Sequence, residues 1–449
     1  MAATASTTTS SADAAQLPLP WMANLFFSLL SFLAHAVIMV AHPSRGPLCF
    51  LRRLCNTNLL FFYASSPISS SSLVDPDAVK GDGWAEAPKA VPSRPQLTWK
   101  TRLFVSLVSL IADAVRRPDG TVRRYLSRFD LTVAPNPEPV RGVRTADVTV
   151  DPDRGLWFRL FLPDAAGSGG TSTKLPVVVF FHGGGFAFLS PSSLAYDAAC
   201  RRICRNTGAA IVSVNYRLSP EHRCPAPYVD GLDVLRFLHT GARPCGGDQL
   251  LVRRFFEVAD LSSCFLAGDS AGGNIAHHVA RRWIAAGESP AHARVGLAGL
   301  VAIQPYFGGE GRVESEIRLA GAPLVNTERT DWLWKAFLPE GADRDHEAAN
   351  PEAAVDGLGE GFPPAMVVVG GFDPLQDWQR RYYEGLKGMG KEATLLEYPA
   401  AIHAFYVFPE LKDSAALVEE LKGFVHRRRR QGRGAINSSV NVVGSWNKN

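Results

Sequence analysis

The stretch Ser262-Ser263-Cys264-Phe265-Leu266-Ala267-Gly268-Asp269-Ser270-Ala271-Gly272-Gly273-Asn274-Ile275-Ala276-His277-His278-Val279-Ala280 decides the fold. Residues 262–267 form an apolar run that reads as a short buried strand, and 273–280 read as a helix. Between them stands Gly268-x-Ser270-x-Gly272. Strand, Gly-x-Ser-x-Gly, helix is the setting of a nucleophile elbow. A serine on so sharp a turn sits in strained backbone, and a side chain at either glycine would collide with strand or helix. The turn lifts the hydroxyl out of the sheet and aims the amide-rich end of the helix at it. An ordinary glycine-rich loop could carry the same five residues, so the reading rests on what surrounds them.

Outward from the elbow, apolar runs alternate with helical stretches. Strands are expected at 146–150, 156–162, 175–181, 209–215, 297–303, 365–369 and 394–398. Helices are expected at 193–206, 226–239, 378–388 and 414–429. Unbroken Val, Ile and Leu runs are what strands covered on both faces show. Their alternation with helices predicts an α/β domain with a central, mostly parallel sheet flanked by helices. That domain is expected over 96–430, with 431–449 as a mobile polar tail.

Residues 1–95 read as an N-terminal extension. The first 17 are rich in Ala, Ser and Thr, and 64–95 in Ser, Pro, Gly and Asp, which reads as a linker. Residues 25–41 are nearly all apolar, short for a membrane span and with His35 inside. Residues 21–37 match 99–115 without a gap at nine of 17 positions. The later copy carries Lys100, Arg102 and Asp113 and reads as an amphipathic helix covering an apolar surface. Membrane contact through 25–41 is therefore the less favoured reading.

A net charge of +4 gives no argument for a nucleic-acid partner. The seven cysteines are scattered, with no Cys-x-x-Cys pair and no zinc-like Cys/His spacing, so neither a metal nor a disulfide framework is expected. Free thiols suit a reducing compartment, hence a cytoplasmic placement. Four arginines at 427–430 suit the C-terminal end of a helix dipole; read instead as a nuclear signal, they give a nuclear placement as the alternative.

Immediately after the strand 175–181 stands His182-Gly183-Gly184-Gly185-Phe186. Consecutive glycines free backbone amides to bend inward and donate to an oxyanion. In this context Gly183, Gly184, Gly185 and the amide after the serine, Ala271, are candidate oxyanion-hole residues, Gly183 by shaping the loop. A serine needs a base, and histidine titrates near neutrality. His403 follows the strand 394–398 and a short loop, 399–402, at the sheet edge where sites form. His277 and His278 sit on the elbow helix, and His292, His346 and His426 lie in polar or basic contexts. The orienting acid should follow the preceding strand. Asp373 is the first carboxylate there; Asp377 is the alternative, but reads as an N-terminal residue of the next helix.

Together these residues resemble the hormone-sensitive-lipase-like branch of α/β hydrolases. The resemblance rests on His182-Gly183-Gly184-Gly185, Gly268 to Asn274, Asp373-Pro374-Leu375, His403-Ala404-Phe405 and Tyr216-Arg217-Leu218-Ser219-Pro220-Glu221. More narrowly, Thr327-Glu328-Arg329-Thr330-Asp331-Trp332-Leu333-Trp334-Lys335-Ala336-Phe337-Leu338-Pro339 is similar to plant carboxylesterases and their relatives, the gibberellin receptors. The resemblance covers about 97–426. It implies an α/β-hydrolase fold with an N-terminal helical lid, which 99–115 fits. It makes Phe186, Phe188, Tyr306, Phe307 and Trp332 candidates for an apolar substrate pocket. It implies a serine carboxylesterase acting on a small-molecule ester through Ser270, His403 and Asp373, with no cofactor. The receptors keep the serine and replace the base histidine by an apolar residue; the presence of His403 separates this chain from that alternative.

Overall fold

The computed structural model describes residues 94–127, 130–164, 174–241, 248–287 and 294–445. The apolar run 25–41 lies outside the described residues. Eight strands form one sheet in the order β1-β2-β4-β3-β5-β6-β7-β8. They are β1 Val143–Asp151, β2 Leu156–Pro163, β3 Leu175–Phe181, β4 Ala210–Asn215, β5 Ala259–Asp269, β6 Leu297–Ile303, β7 Ala365–Phe372 and β8 Ala393–Ile402. The pairs β1/β2 and β2/β4 are antiparallel, and every other pair is parallel.

The helices that position the site are α1 Trp99–Val115, α2 Leu194–Thr207, α3 Ala226–Thr240, α4 Ala271–Ala285, α5 Thr327–Phe337, α6 Gln376–Gly388 and α7 Lys412–Ser445. Strand β3 shows why its sequence is apolar throughout. Val177, Val179 and Phe181 face one core cluster, shared with α3 and α4, while Val178 and Phe180 face a second, shared with α2 and α7. Both faces of the strand exclude water, so no position is free to be polar.

Three of the boundaries that differ from expectation lie in the last third of the chain. Strand β7 runs on to Phe372 and β8 to Ile402, so 399–402 is strand rather than loop. Pro399 is tolerated because β8 is an edge strand, where a missing N–H costs no ladder bond on the open side. Helix α7 continues past Arg429 to Ser445, because no proline interrupts it there, so 431–445 continues that helix instead of forming a separate tail. The helices Gln249–Val258, Glu314–Arg318, α5 and Pro351–Val355 had no counterpart among the expected elements.

Candidate active site

Four neighbouring parallel strands end on the same side and deliver one residue each. Ser270 follows β5, Gln304 follows β6, Asp373 follows β7 and His403 follows β8. The His182 loop leaves β3, the neighbour of β5 on the other side.

Ser270 has φ 53° and ψ −121°, a conformation that costs a non-glycine residue roughly 1–3 kcal/mol. Backbone bonds hold it there. Ser270 N–H donates to Ile303 O at 2.9 Å, and Ser270 O accepts from Tyr306 N at 2.9 Å and Gly273 N at 3.0 Å. The flanking glycines are required by space, as expected. A Cβ on Gly268 would lie 2.3 Å from Gly272 O, and one on Gly272 would lie 1.9 Å from Phe181 O. A serine at a helix N-cap ordinarily spends its hydroxyl on the first turn. Ser270 makes no such bond, which leaves its Oγ free for other work.

His403 Nδ1 donates to Asp373 Oδ2 at 2.7 Å. The acid is fully buried, and His403 is 5% exposed. Asp373 Oδ2 also accepts from Gln304 Nε2 at 3.0 Å and Gln379 Nε2 at 2.8 Å, and Oδ1 from Leu375 N at 3.0 Å. Four donors thus satisfy the buried carboxylate. Burial pulls the pKa of His403 down; the charge and hydrogen bond of Asp373, with the charge of Asp269, outweigh it and leave the imidazole above its ordinary 6.5. Ser270 and His403 do not hydrogen-bond to each other in this state, and such bonds commonly tighten only once substrate is bound. Asp377 is engaged elsewhere, accepting from Ser315 N at 2.8 Å and Arg380 Nη1 at 3.2 Å.

In the glycine loop, Gly184 has φ 100°, and a Cβ there would lie 2.3 Å from Phe188 O. The amides of Gly184, Gly185 and Ala271 have no acceptor among the described residues. The amide of Gly183 is occupied, donating to the Tyr196 hydroxyl at 2.8 Å, so Gly183 shapes the loop and gives no donor to an oxyanion. Tyr196 OH in turn donates to Asp269 Oδ2 at 3.0 Å. Burial pushes the Asp269 carboxyl up to about 6, even with that bond.

Three expected pocket residues lie elsewhere. Phe186 is fully buried and stacks on Phe337 with ring centroids 3.6 Å apart. Tyr306 is 1% exposed, stacks on Trp334 at 4.1 Å and donates its hydroxyl to Thr330 O. Both rings belong to the core, and the turn at 184–187 drives Phe186 inward. Phe307 is fully buried as well. Trp332 is half-buried and lies parallel to Phe188 at 6.5 Å, with its indole N–H on Arg117 O. A cleft of about 320 Å³ opens beside Phe188, lined also by Arg124, Leu189, Leu218, Glu221 and His222; the elbow and its partners do not line it.

Of the other histidines, His277 uses both ring nitrogens, on the Tyr382 hydroxyl and Ala354 O, and burial lowers its pKa to about 4. Its neighbour His278 is fully buried against the Tyr228 ring. Gln304, Gln379 and Tyr196 were not singled out from sequence. Gln304 carried a signal, since it is the first residue beyond an apolar strand in an open α/β sheet.

The family model described as the alpha/beta hydrolase fold matches residues 178–407, from inside β3 to just beyond His403. The chain belongs to the α/β-hydrolase fold family. Within it, the branch expected from the motifs holds. The chain is 39% identical over 356 residues to a gibberellin receptor of Arabidopsis thaliana, covering 76% of this chain and 98% of the receptor. It is 38% identical over 290 residues to carboxylesterase 20 of Arabidopsis thaliana, covering 62% of this chain and 85% of the relative. An esterase structure from Pyrobaculum calidifontis superposes with a TM-score of 0.53 at 26% identity, covering 74% of this chain and 94% of that one. Members of this hydrolase family with an esterase name and members with a receptor name are thus both near. No described helix is long and apolar enough to cross a membrane.

Proposed function

We propose that the chain is a serine carboxylesterase. The observation that carries this reading is the 2.7 Å bond from His403 Nδ1 to a buried, fourfold hydrogen-bonded Asp373. That bond fixes the tautomer with Nε2 as the free base. Nothing in a purely binding pocket calls for such a pair.

In this reading Ser270 Oγ attacks the ester carbonyl while His403 Nε2 takes its proton. The amides of Gly184, Gly185 and Ala271 receive the charge that forms on the carbonyl oxygen. His403 then gives the proton to the leaving alcohol, and the acyl group stays on Ser270. Water, deprotonated by His403, releases the acid. Asp373 orients the imidazole and stabilises its cation throughout without taking the proton. In this reading helix α1 is the pocket's cover, and Trp332, which lies beside Phe188, is an apolar contact for the substrate. The free thiols Cys200, Cys204, Cys224 and Cys264 support a reducing compartment, which we take to be the cytoplasm.

The alternative is a small-molecule receptor of the gibberellin type, favoured by identity along 98% of one such relative. Hydrolysis of a short-chain p-nitrophenyl ester by the purified chain, beside Ser270→Ala, separates the two. Turnover lost in the variant is the expected result. A folded parent without turnover would overturn the esterase reading, and saturable binding of a gibberellin would then support the receptor.

A further inference from the structure

From the geometry we infer that Gln304 is a positioning residue, clamping the acid Asp373 and the base His403 into one rigid unit through its side-chain amide. The inference deepens the esterase reading and rests on it.

Gln304 is 1% exposed, and its amide is fully used. Nε2 donates to Asp373 Oδ2 at 3.0 Å and to Ile402 O at 3.2 Å, while Oε1 accepts from Ala404 N at 2.8 Å. The clamp therefore grips the acid and both backbone neighbours of the base. Two acceptors on one end and one donor on the other fix which way the amide points. The backbone beneath it is equally committed. Gln304 N donates to Val368 O of β7, and the preceding carbonyl, Ile303 O, accepts from Ser270 N. Gln304 thus touches the loops of the proposed acid and base, and the residue before it holds the elbow amide, without touching a reacting atom.

Two further features show that the fold makes room for this clamp. Gln304 adopts φ 46°, a left-handed conformation unusual for a non-glycine residue outside a functional constraint. Opposite it, Gly370 provides a notch, since a Cβ there would lie 2.5 Å from Gln304 Nε2. The base is also held in a special way, because Ala404 takes φ 58° where its N–H meets the glutamine.

The clamp has an electrostatic consequence. Gln304 Nε2 shares the negative charge of the oxygen that faces the imidazole. Without that donor, Asp373 pulls harder on the His403 proton. The ionisable groups facing His403 are Asp373 from the β7–α6 loop and Asp269 from the end of β5, with Tyr196 of α2 and Tyr406 grouped around Asp269. None of these changes in a Gln304 variant.

The test uses the full chain with Gln304→Met, which keeps the length but no donor, Gln304→Glu, which sets an acceptor against Asp373, and Gly370→Ala, which pushes the amide aside. Each is expected to lower kcat by about 10²-fold with KM within about twofold. The acid limb of kcat/KM is expected to move to higher pH in the Met variant and further in the Glu variant. A residue that only supports the fold would lower the rate at every pH, in proportion to the folded fraction, and leave the limb in place; that result overturns the inference. A second readout does not depend on turnover. The far-downfield proton of the His403–Asp373 bond, assigned by its loss in His403→Ala, should shift or broaden in all three variants. If Ser270→Ala shows that the chain is no serine esterase, this resonance still decides whether Gln304 holds the pair. An unmoved resonance in folded variants would sink the clamp.

Discussion

Tyr196 donates its phenol proton to Asp269 Oδ2 at 3.0 Å, and the same oxygen of Tyr196 accepts the N–H of Gly183. One side chain from α2 thereby ties the glycine loop to the residue preceding Ser270. All three groups are buried, so nothing else can replace a lost bond. Tyr196→Phe should destabilise the protein by about 1–3 kcal/mol, the range for stranding buried polar groups. Denaturant unfolding with an unchanged slope is the measurement. An unchanged midpoint would mean that the loop holds its shape without Tyr196.

If Ser270 and His403 act as one unit, their losses do not add. Ser270→Ala and His403→Ala should each lower kcat on the order of 10⁴-fold or more, and the double variant should be little worse than either. Losses that multiply would show the two acting independently.

The two carboxylates make opposite predictions. Asp373→Asn removes the acceptor for His403 and should cost about 10⁴-fold in kcat. Asp377→Asn should leave kcat within about threefold, because its partners are Ser315 and Arg380. A reversed ranking would move the acid to Asp377.

His403 gives a pH signature with two signs. It must be neutral to act as base, so kcat/KM should rise with pH through the raised pKa, and the acid limb should centre above 6.5. Folding favours its protonated form. That contribution to stability is fully present below pH 6.5 and fades as pH climbs through the folded value. Activity and His403-dependent stability should therefore change in opposite directions across one window. Rate profiles, with unfolding curves of parent and His403→Gln, test this; an acid limb below pH 6 would contradict it.

The elbow was legible because space decides it. Gly268 and Gly272 have no alternative, and a buried parallel strand announces itself as an unbroken apolar run. The ends of α1 were legible from the ungapped match between 21–37 and 99–115, and its helical character from the amphipathic pattern; the helix runs Trp99–Val115. The ends of β7 and β8 were hidden because Gly370-Gly371 and Pro399 look like loop signals. In the fold the glycines admit the Gln304 amide and Pro399 O, and the proline sits on an edge. Phe186 and Tyr306 were misplaced because ring chemistry alone does not tell a pocket wall from the core behind it. Gln304 was overlooked because its role lies in a side-chain conformation that no spacing encodes.

Helix α1 is fastened at both ends of the site. Thr101 Oγ1 donates to Glu410 and Phe104 packs edge-on against Phe408, just beyond His403; Ser109 Oγ accepts from Leu324 N, and Asp113 pairs with Arg329 at the start of α5. The matched family region, 178–407, begins 63 residues after α1 ends. A truncation that began at residue 178 would keep every proposed catalytic residue and still strand Glu410, Phe408 and Arg329 without their partners on α1. The contacts that surround the candidate site reach beyond the region that defines the family.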